Sequence, residues 1–280
     1  MTTHLQLAQK IAGLYALLPQ VEAVAMGGSR GKGPGRFDNT SDIDLYVYTR
    51  GDIPIAVRRE IIQKSGGAAR TDLNLNYWGA GDGWVHAPTG IELDSMFFET
   101  LWMEEQIERV MGRHQPALGY TTCFCYTVQQ SVVFSDPRAW FARLQQQCRG
   151  EYPEPLRRNI IAYNHPVLRG IITSYAHQIQ SAVTRRDGIS VNHRLAALLA
   201  SYFDILFALN RQLHPGEKRQ LEFALNNCAV LPPSFEPDIA ATLQAAGADA
   251  ANLPGQVARL LDHLDQALEA EGLNPAVALA

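Results

Sequence analysis

Met26-Gly27-Gly28-Ser29, followed by a glycine- and arginine-rich stretch and then by Ser41-Asp42-Ile43-Asp44-Leu45, is the part of this chain that decides its fold. The mainly apolar run Val21 to Met26 predicts a buried strand ahead of the turn. Gly27 and Gly28 permit tight backbone angles and close approach of a ligand. Backbone N–H groups there, with the Ser29 hydroxyl, can hold phosphate oxygens. Beyond the spacer, Ile43, Leu45 and Val47 alternate with Asp42, Asp44 and Tyr46, the period of a half-buried strand. Asp42 and Asp44 therefore point the same way, about 7 Å apart along the chain. Oxygen donors at that spacing suit Mg²⁺, which takes one or two carboxylates together with substrate phosphates.

A further acidic strand lies downstream, Ile91-Glu92-Leu93-Asp94-Ser95-Met96-Phe97-Phe98, with Glu92 and Asp94 on one face. Together these segments resemble the catalytic signature of the DNA polymerase β-like nucleotidyltransferases: a Gly-Ser turn, a spacer, Asp-x-Asp on a strand and a third carboxylate on a later strand. The resemblance implies Asp42, Asp44 and Asp94 as metal ligands, with Glu92 in reserve for Asp94. It implies Gly27, Gly28, Ser29, Arg30 and Ser41 as the nucleotide-binding set. Arg30, Lys32 and Arg36, between the turn and the Asp-x-Asp strand, are placed to neutralise triphosphate charge.

Length and composition narrow the class. A chain of 280 residues allows one large or two ordinary domains. Net charge of −4 argues against a protein that coats nucleic acid, which needs a basic surface. No run is long and apolar enough to span a membrane, and no secretory signal opens the chain. Cys123, Cys125, Cys148 and Cys228 lack the paired spacing of a zinc site and read as free thiols, which fits a reducing cytoplasm. No GxxxxGK[ST] phosphate loop occurs, and the histidines form no HxxxH pair.

Hydrophobic periodicity orders the rest. Leu7, Ile11, Leu14 and Leu18 mark a helix capped by Thr3, and Ile53 to Ile62 a short one stopped by Gly66-Gly67. Residues 71–78 read as a strand, 79–90 as a glycine-rich loop, 90–98 as the Asp94 strand and 100–113 as a helix. Residues 121–134 fit strand or helix, and Ser135-Asp136-Pro137 reads as a helix start. Helical patterns follow at 155–186, broken near Pro166, then at 190–213 and 215–227, with two short helices after the Pro-rich loop 231–237. The expected fold is α+β: a small mixed-sheet head over residues 1–115 and an all-helical domain over 116–280.

The helical half carries Val191-Asn192-His193-Arg194, the apolar helix through Tyr202, Leu206 and Leu209, and His214-Pro215-Gly216-Glu217-Lys218-Arg219. This pattern, with Trp78-Gly79-Ala80-Gly81-Asp82-Gly83-Trp84, resembles the DUF4037-type bacterial nucleotidyltransferases. More distantly, the chain is similar to the two-domain aminoglycoside and lincosamide nucleotidyltransferases. There a lysine from the helical domain closes over the triphosphate, which implies that role for Lys218. Asp82 and Trp84, read on a loop, are the expected acceptor contacts. Arg158-Asn159 and His165 faintly resemble the ribonuclease motif of helical HEPN domains, but Pro166 follows the histidine directly.

These readings imply a Mg²⁺-dependent nucleotidyltransferase with two ions. It would move AMP from ATP, or another NMP from its triphosphate, to an acceptor hydroxyl and release pyrophosphate. A small-molecule acceptor such as an antibiotic is favoured over RNA or protein. A nucleotide-binding regulator or antitoxin without turnover is the remaining alternative.

Overall fold

In the computed structural model, which describes residues 3–27, 42–77, 79–248 and 250–273, the Thr3 side chain accepts the Gln6 N–H and the Gln6 side chain accepts the Thr3 N–H, at 3.2 and 2.9 Å. This capping box starts α1 (His4–Ala16). Leu7, Ile11 and Tyr15 share its buried face. They lie against a sheet of β1 (Val21–Met26), β2 (Ile43–Thr49), β3 (Ala68–Leu75), β4 (Gly81–His86), β5 (Glu92–Glu99) and β6 (Val132–Ser135). The strand order is β3-β4-β5-β2-β1-β6. β2 and β5 run parallel at its centre, and every other pairing is antiparallel.

Strand alternation gives this sheet two unlike faces. Val24 and Met26 of β1, Ile43, Leu45 and Val47 of β2 and Leu93 of β5 join α1 and α2 (Ile55–Ser65) in one apolar core. Tyr48 and Phe98 point the other way. There Tyr48 is fully buried and packs its ring 5.3 Å from Trp140 and 4.8 Å from Phe141. Both belong to α5 (Trp140–Arg149). α3 (Thr100–Ile107) follows β5 and continues into a π-helical turn, Glu108–Gly112. Glu22 is buried near the start of β1, where Arg138 grips it with two bonds of 2.7 and 2.6 Å and Arg50 adds an ion pair at 2.7 Å. The Arg138 guanidinium holds this carboxyl below its ordinary value.

Two expectations are corrected here. Residues 79–90 are not a loop throughout, because Gly81–His86 is strand β4. Its inward residues Asp82, Trp84 and His86 are buried, while Gly81 and Gly83 take the opposite face. Glycine on one face and polar or aromatic residues on the other hide the alternation that marks a strand. The domain boundary near residue 115 also changes. One compact unit comprises residues 1–108 and 124–150, and the other 109–123 and 151–280. The reason lies in the ambiguous stretch 121–134, which is both helix and strand: α4 (Cys123–Gln130) leads into β6, and β6 pairs with β1.

The second unit is helical: α6 (Glu154–His165), α7 (Tyr175–Thr184), α8 (Gly188–Leu209), α9 (Gln220–Asn227), α10 (Phe235–Ala248) and α11 (Leu253–Ala270). Pro166 ends α6 and opens a π-helical turn through Gly170, as its missing N–H requires. The helix expected from residue 215 begins only at Gln220, and α11, at 18 residues, is not short. His165 bonds Asp265 at 2.7 Å and Arg158 pairs with Glu154 at 3.4 Å, so both residues of the HEPN-like pair have structural partners. Asn210 closes the end of α8, accepting the Val230 N–H and donating to the Val230 carbonyl, both at 2.8 Å. None of the four cysteines is in a disulfide. Among the described residues no helix is long and apolar enough to cross a membrane.

At the centre of this unit Asp204 of α8 accepts the Thr121 N–H at 3.0 Å, the Thr121 hydroxyl at 2.6 Å and an Asn164 amide N–H at 3.3 Å. Burial pushes its carboxyl up to about 7, against the pull of the Thr121 bonds. Between its unfolded value near 4 and about 7, the folded chain keeps a proton that the unfolded chain has lost. This stabilising contribution is complete below about pH 4 and disappears as the pH rises toward 7, at no more than about 1.4 kcal/mol per pH unit. Asp204→Asn removes that slope while giving up one acceptor of Thr121. Urea unfolding at pH 5 and pH 8 is therefore expected to show the variant's deficit shrinking as pH rises. A deficit constant across that range would refute this assignment.

Candidate active site

The parallel pairing of β2 with β5 sets Asp44 directly beside Asp94. Asp42, one residue before β2, shares their face by alternation. The result is a cluster in which one carboxylate oxygen from each of Asp42, Asp44 and Asp94 lies within 4.8 Å of the others. Asp42 and Asp94 are exposed and Asp44 is half-buried, so the cluster opens to solvent. Glu92 lies two residues before Asp94 on the same face, but the structure does not bring it into this cluster.

Gly27 abuts the cluster, its N–H donating to the Asp44 carbonyl at 3.0 Å. The sequence reading gave this glycine to backbone freedom. The structure adds a steric reason, because a Cβ there would stand 1.9 Å from Cε2 of the Tyr46 ring. Gly83 of β4 faces Asp94 from the other side, where a Cβ would stand 3.2 Å from the Asp94 Oδ1. Gly27 and Gly83 thus keep the flanks of the carboxylates clear. Sequence reasoning missed Gly83 and Tyr46. The signal for Tyr46 was present, since it continues the Asp42, Asp44 face by one more step.

Gly28, Ser29, Arg30, Lys32, Arg36, Ser41 and Trp78 lie outside the described residues. Lys218 is exposed in the turn before α9, in the second unit. Asp82 and Trp84 are a correction. Both point away from the carboxylates, into the core on the other face of the sheet, and are 2% and 4% exposed. Asp82 accepts Arg58 at 2.7 Å and the Asn74 N–H at 2.8 Å. Neither residue is presented to an acceptor at the carboxylate face.

Three hard oxygen donors suit a small divalent cation. Octahedral ligand distances of about 2.1 Å set opposite donors about 4.2 Å apart and neighbouring ones about 3.0 Å apart, so oxygens within 4.8 Å of one another would draw closer to share one ion.

With this geometry in place, comparison with known proteins adds the following. The family described as "Domain of unknown function (DUF4037)" matches residues 121–219, which excludes the carboxylate cluster. No curated protein matches the chain. Among solved structures it is similar to a nucleotidyltransferase-like protein from Exiguobacterium sibiricum 255-15, at 13% identity and a TM-score of 0.45, over 98% of this chain and 77% of that one.

Proposed function

We propose that this chain is a divalent-metal-dependent nucleotidyltransferase that moves a nucleoside monophosphate, AMP from ATP in the first instance, to a hydroxyl of a small-molecule acceptor. The observation that carries this reading is the convergence of Asp42, Asp44 and Asp94 within 4.8 Å on one sheet face. Gly27 stands next to them, and Gly28 and Ser29 follow it in the sequence. Mg²⁺ bound by these carboxylates would supply charge neutralisation for the triphosphate and the pyrophosphate leaving group.

The chain's own groups then divide the work. Gly28, Ser29, Arg30 and Ser41 hold the terminal phosphates, through backbone N–H groups, hydroxyls and a guanidinium. The resemblance also assigns the Lys218 ammonium, a point charge, to the triphosphate. In the transfer, the acceptor oxygen bonds to the α-phosphorus as the bond to the β-bridging oxygen breaks, and pyrophosphate departs. The hydroxyl proton passes to a carboxylate, Asp94 by position, with Glu92 on the same face as the alternative. A small-molecule acceptor is favoured over RNA on charge, since a net −4 repels a polyanion.

The test uses the purified full chain with ATP labelled at the α-phosphate and Mg²⁺, against aminoglycosides, lincosamides, tRNA and proteins. Label on a small molecule with equimolar pyrophosphate is the expected result. Label on tRNA or protein would reassign the acceptor. Nucleotide binding without pyrophosphate release would favour the regulator, and absence of nucleotide binding would end the reading.

A further inference from the structure

A row of aromatic side chains begins two residues beyond Asp44, on the same face of the sheet. The Tyr46 ring lies over Gly27, its hydroxyl 2.7 Å from where a Cβ would stand. Because Gly27 is bonded to the Asp44 carbonyl, the ring leans back along β2 toward the carboxylates. Tyr46 meets Phe98 edge to face, at 5.7 Å and 75°. Phe98 lies nearly parallel to Trp102 of α3, at 6.0 Å and 10°. Phe124 also meets Trp102 edge-on, at 5.1 Å and 89°.

The exposure of this row sets it apart from core. Tyr48, the next residue on the same face of β2, is sealed under Trp140 and Phe141. Tyr46 and Phe98 are only half-buried, and Trp102 is 41% exposed. The fold covers Tyr48 and leaves Tyr46, Phe98 and Trp102 partly open, with Tyr46 at the carboxylate end and Phe98 level with Tyr48 on the neighbouring strand. Two strand residues, about 7 Å, separate the start of that row from Asp44. A nucleotide whose α-phosphate is held at the carboxylates carries a flat ring one sugar away from them. Stacking on aromatic side chains accepts any base, because every base has a π face.

We propose that Tyr46, Phe98 and Trp102 form the seat of the nucleobase, with Trp102 as its outer wall. This inference rests on the nucleotidyltransferase reading and adds a base subsite to it. The larger π face of a purine favours ATP or GTP over pyrimidine triphosphates.

Calorimetry on the full chain with Mg²⁺ tests it, comparing ATP with inorganic tripolyphosphate, which has the charge but no ring. Trp102→Ala is expected to weaken ATP binding by roughly 5- to 150-fold and to leave tripolyphosphate affinity unchanged. Trp102→Phe keeps a ring and should retain most ATP affinity. It also removes one fluorophore, so the part of the ATP-induced emission change that comes from Trp102 should vanish in this variant. That readout stands even where the alanine variant fails to fold. ATP affinity unchanged in Trp102→Ala overturns the proposal, as does equal loss for ATP and tripolyphosphate, or an ATP-induced emission change identical in Trp102→Phe. Unchanged ATP affinity with slowed transfer would place the row on the acceptor's side, which also overturns it. Failure of the parent protein to bind either triphosphate would instead sink the nucleotidyltransferase reading.

Discussion

Asp44→Asn is expected to lower Mg²⁺-dependent nucleotidyl transfer by at least about 10³-fold, yet to leave the unfolding temperature in EDTA unchanged or raised. The rate loss follows from removing one donor of a cation whose charge stabilisation is worth several kcal/mol, at about 1.4 kcal/mol per tenfold. The stability result follows from the same geometry. Three carboxylates whose oxygens lie within 4.8 Å repel one another when no cation is bound. A pair at about 4 Å costs on the order of 1 kcal/mol even in bulk water, and more near a protein surface. Asparagine keeps the shape and removes two of those repulsions. Added Mg²⁺ should then raise the parent's unfolding temperature by binding only the folded state, and raise the variant's less. Scanning calorimetry with and without Mg²⁺ makes the comparison. A variant that retains transfer within tenfold of the parent, or that unfolds well below it in EDTA, would refute the role given to Asp44.

The carboxylate cluster was legible in the sequence because strand periodicity is rigid. Asp42 and Asp44 have to share a face, and Glu92 and Asp94 likewise. What periodicity does not supply is register between strands. Glu92 and Asp94 were equivalent on the page, and the pairing of Asp44 with Asp94 separates them. The resemblance ranked Asp94 first, and the structure places it in the cluster by a physical route of its own.

Other features were hidden for identifiable reasons. β4 was missed because its alternation is between glycine and Asp82, Trp84 and His86, rather than between polar and apolar residues. Close packing favours the glycines: a Cβ at Gly81 would stand 3.1 Å from the Ser95 carbonyl oxygen, and one at Gly83 3.2 Å from the Asp94 Oδ1. The single domain boundary failed because β6, a four-residue strand, returns to the β1 edge after the chain has visited the second unit. Non-local pairing of so short a segment leaves no local signal. Pro166 and Thr3, whose effects are local, were read correctly in kind.

Asp82 gives the sharpest separation between the two readings. As an acceptor contact on a loop, its loss would raise KM and leave the fold alone. The structure puts it instead in a buried ion pair, with side-chain exposures of 6% for Arg58 and 1% for Asp82. Its Oδ1 also accepts the N–H of Asn74, whose φ of 61° is held in the left-handed region, and Arg58 reaches the Asn74 side chain at 3.3 Å. The pair thereby ties α2 to β3 and β4 from within the core. Asp82→Ala leaves the Arg58 guanidinium buried without its counter-charge and is expected to cost about 3–5 kcal/mol. Replacing both partners with apolar residues, Arg58→Met with Asp82→Leu, should recover part of that loss, because the buried charge is gone from both sides while the Asn74 N–H still lacks its acceptor. Where Asp82→Ala still folds at low temperature, nucleotide affinity should stay near the parent's, since the carboxylate cluster lies on the other face of the sheet. Urea unfolding of the single and double variants, read beside calorimetric nucleotide binding, distinguishes the cases. A single variant as stable as the parent but with a raised KM for acceptor would return Asp82 to the substrate.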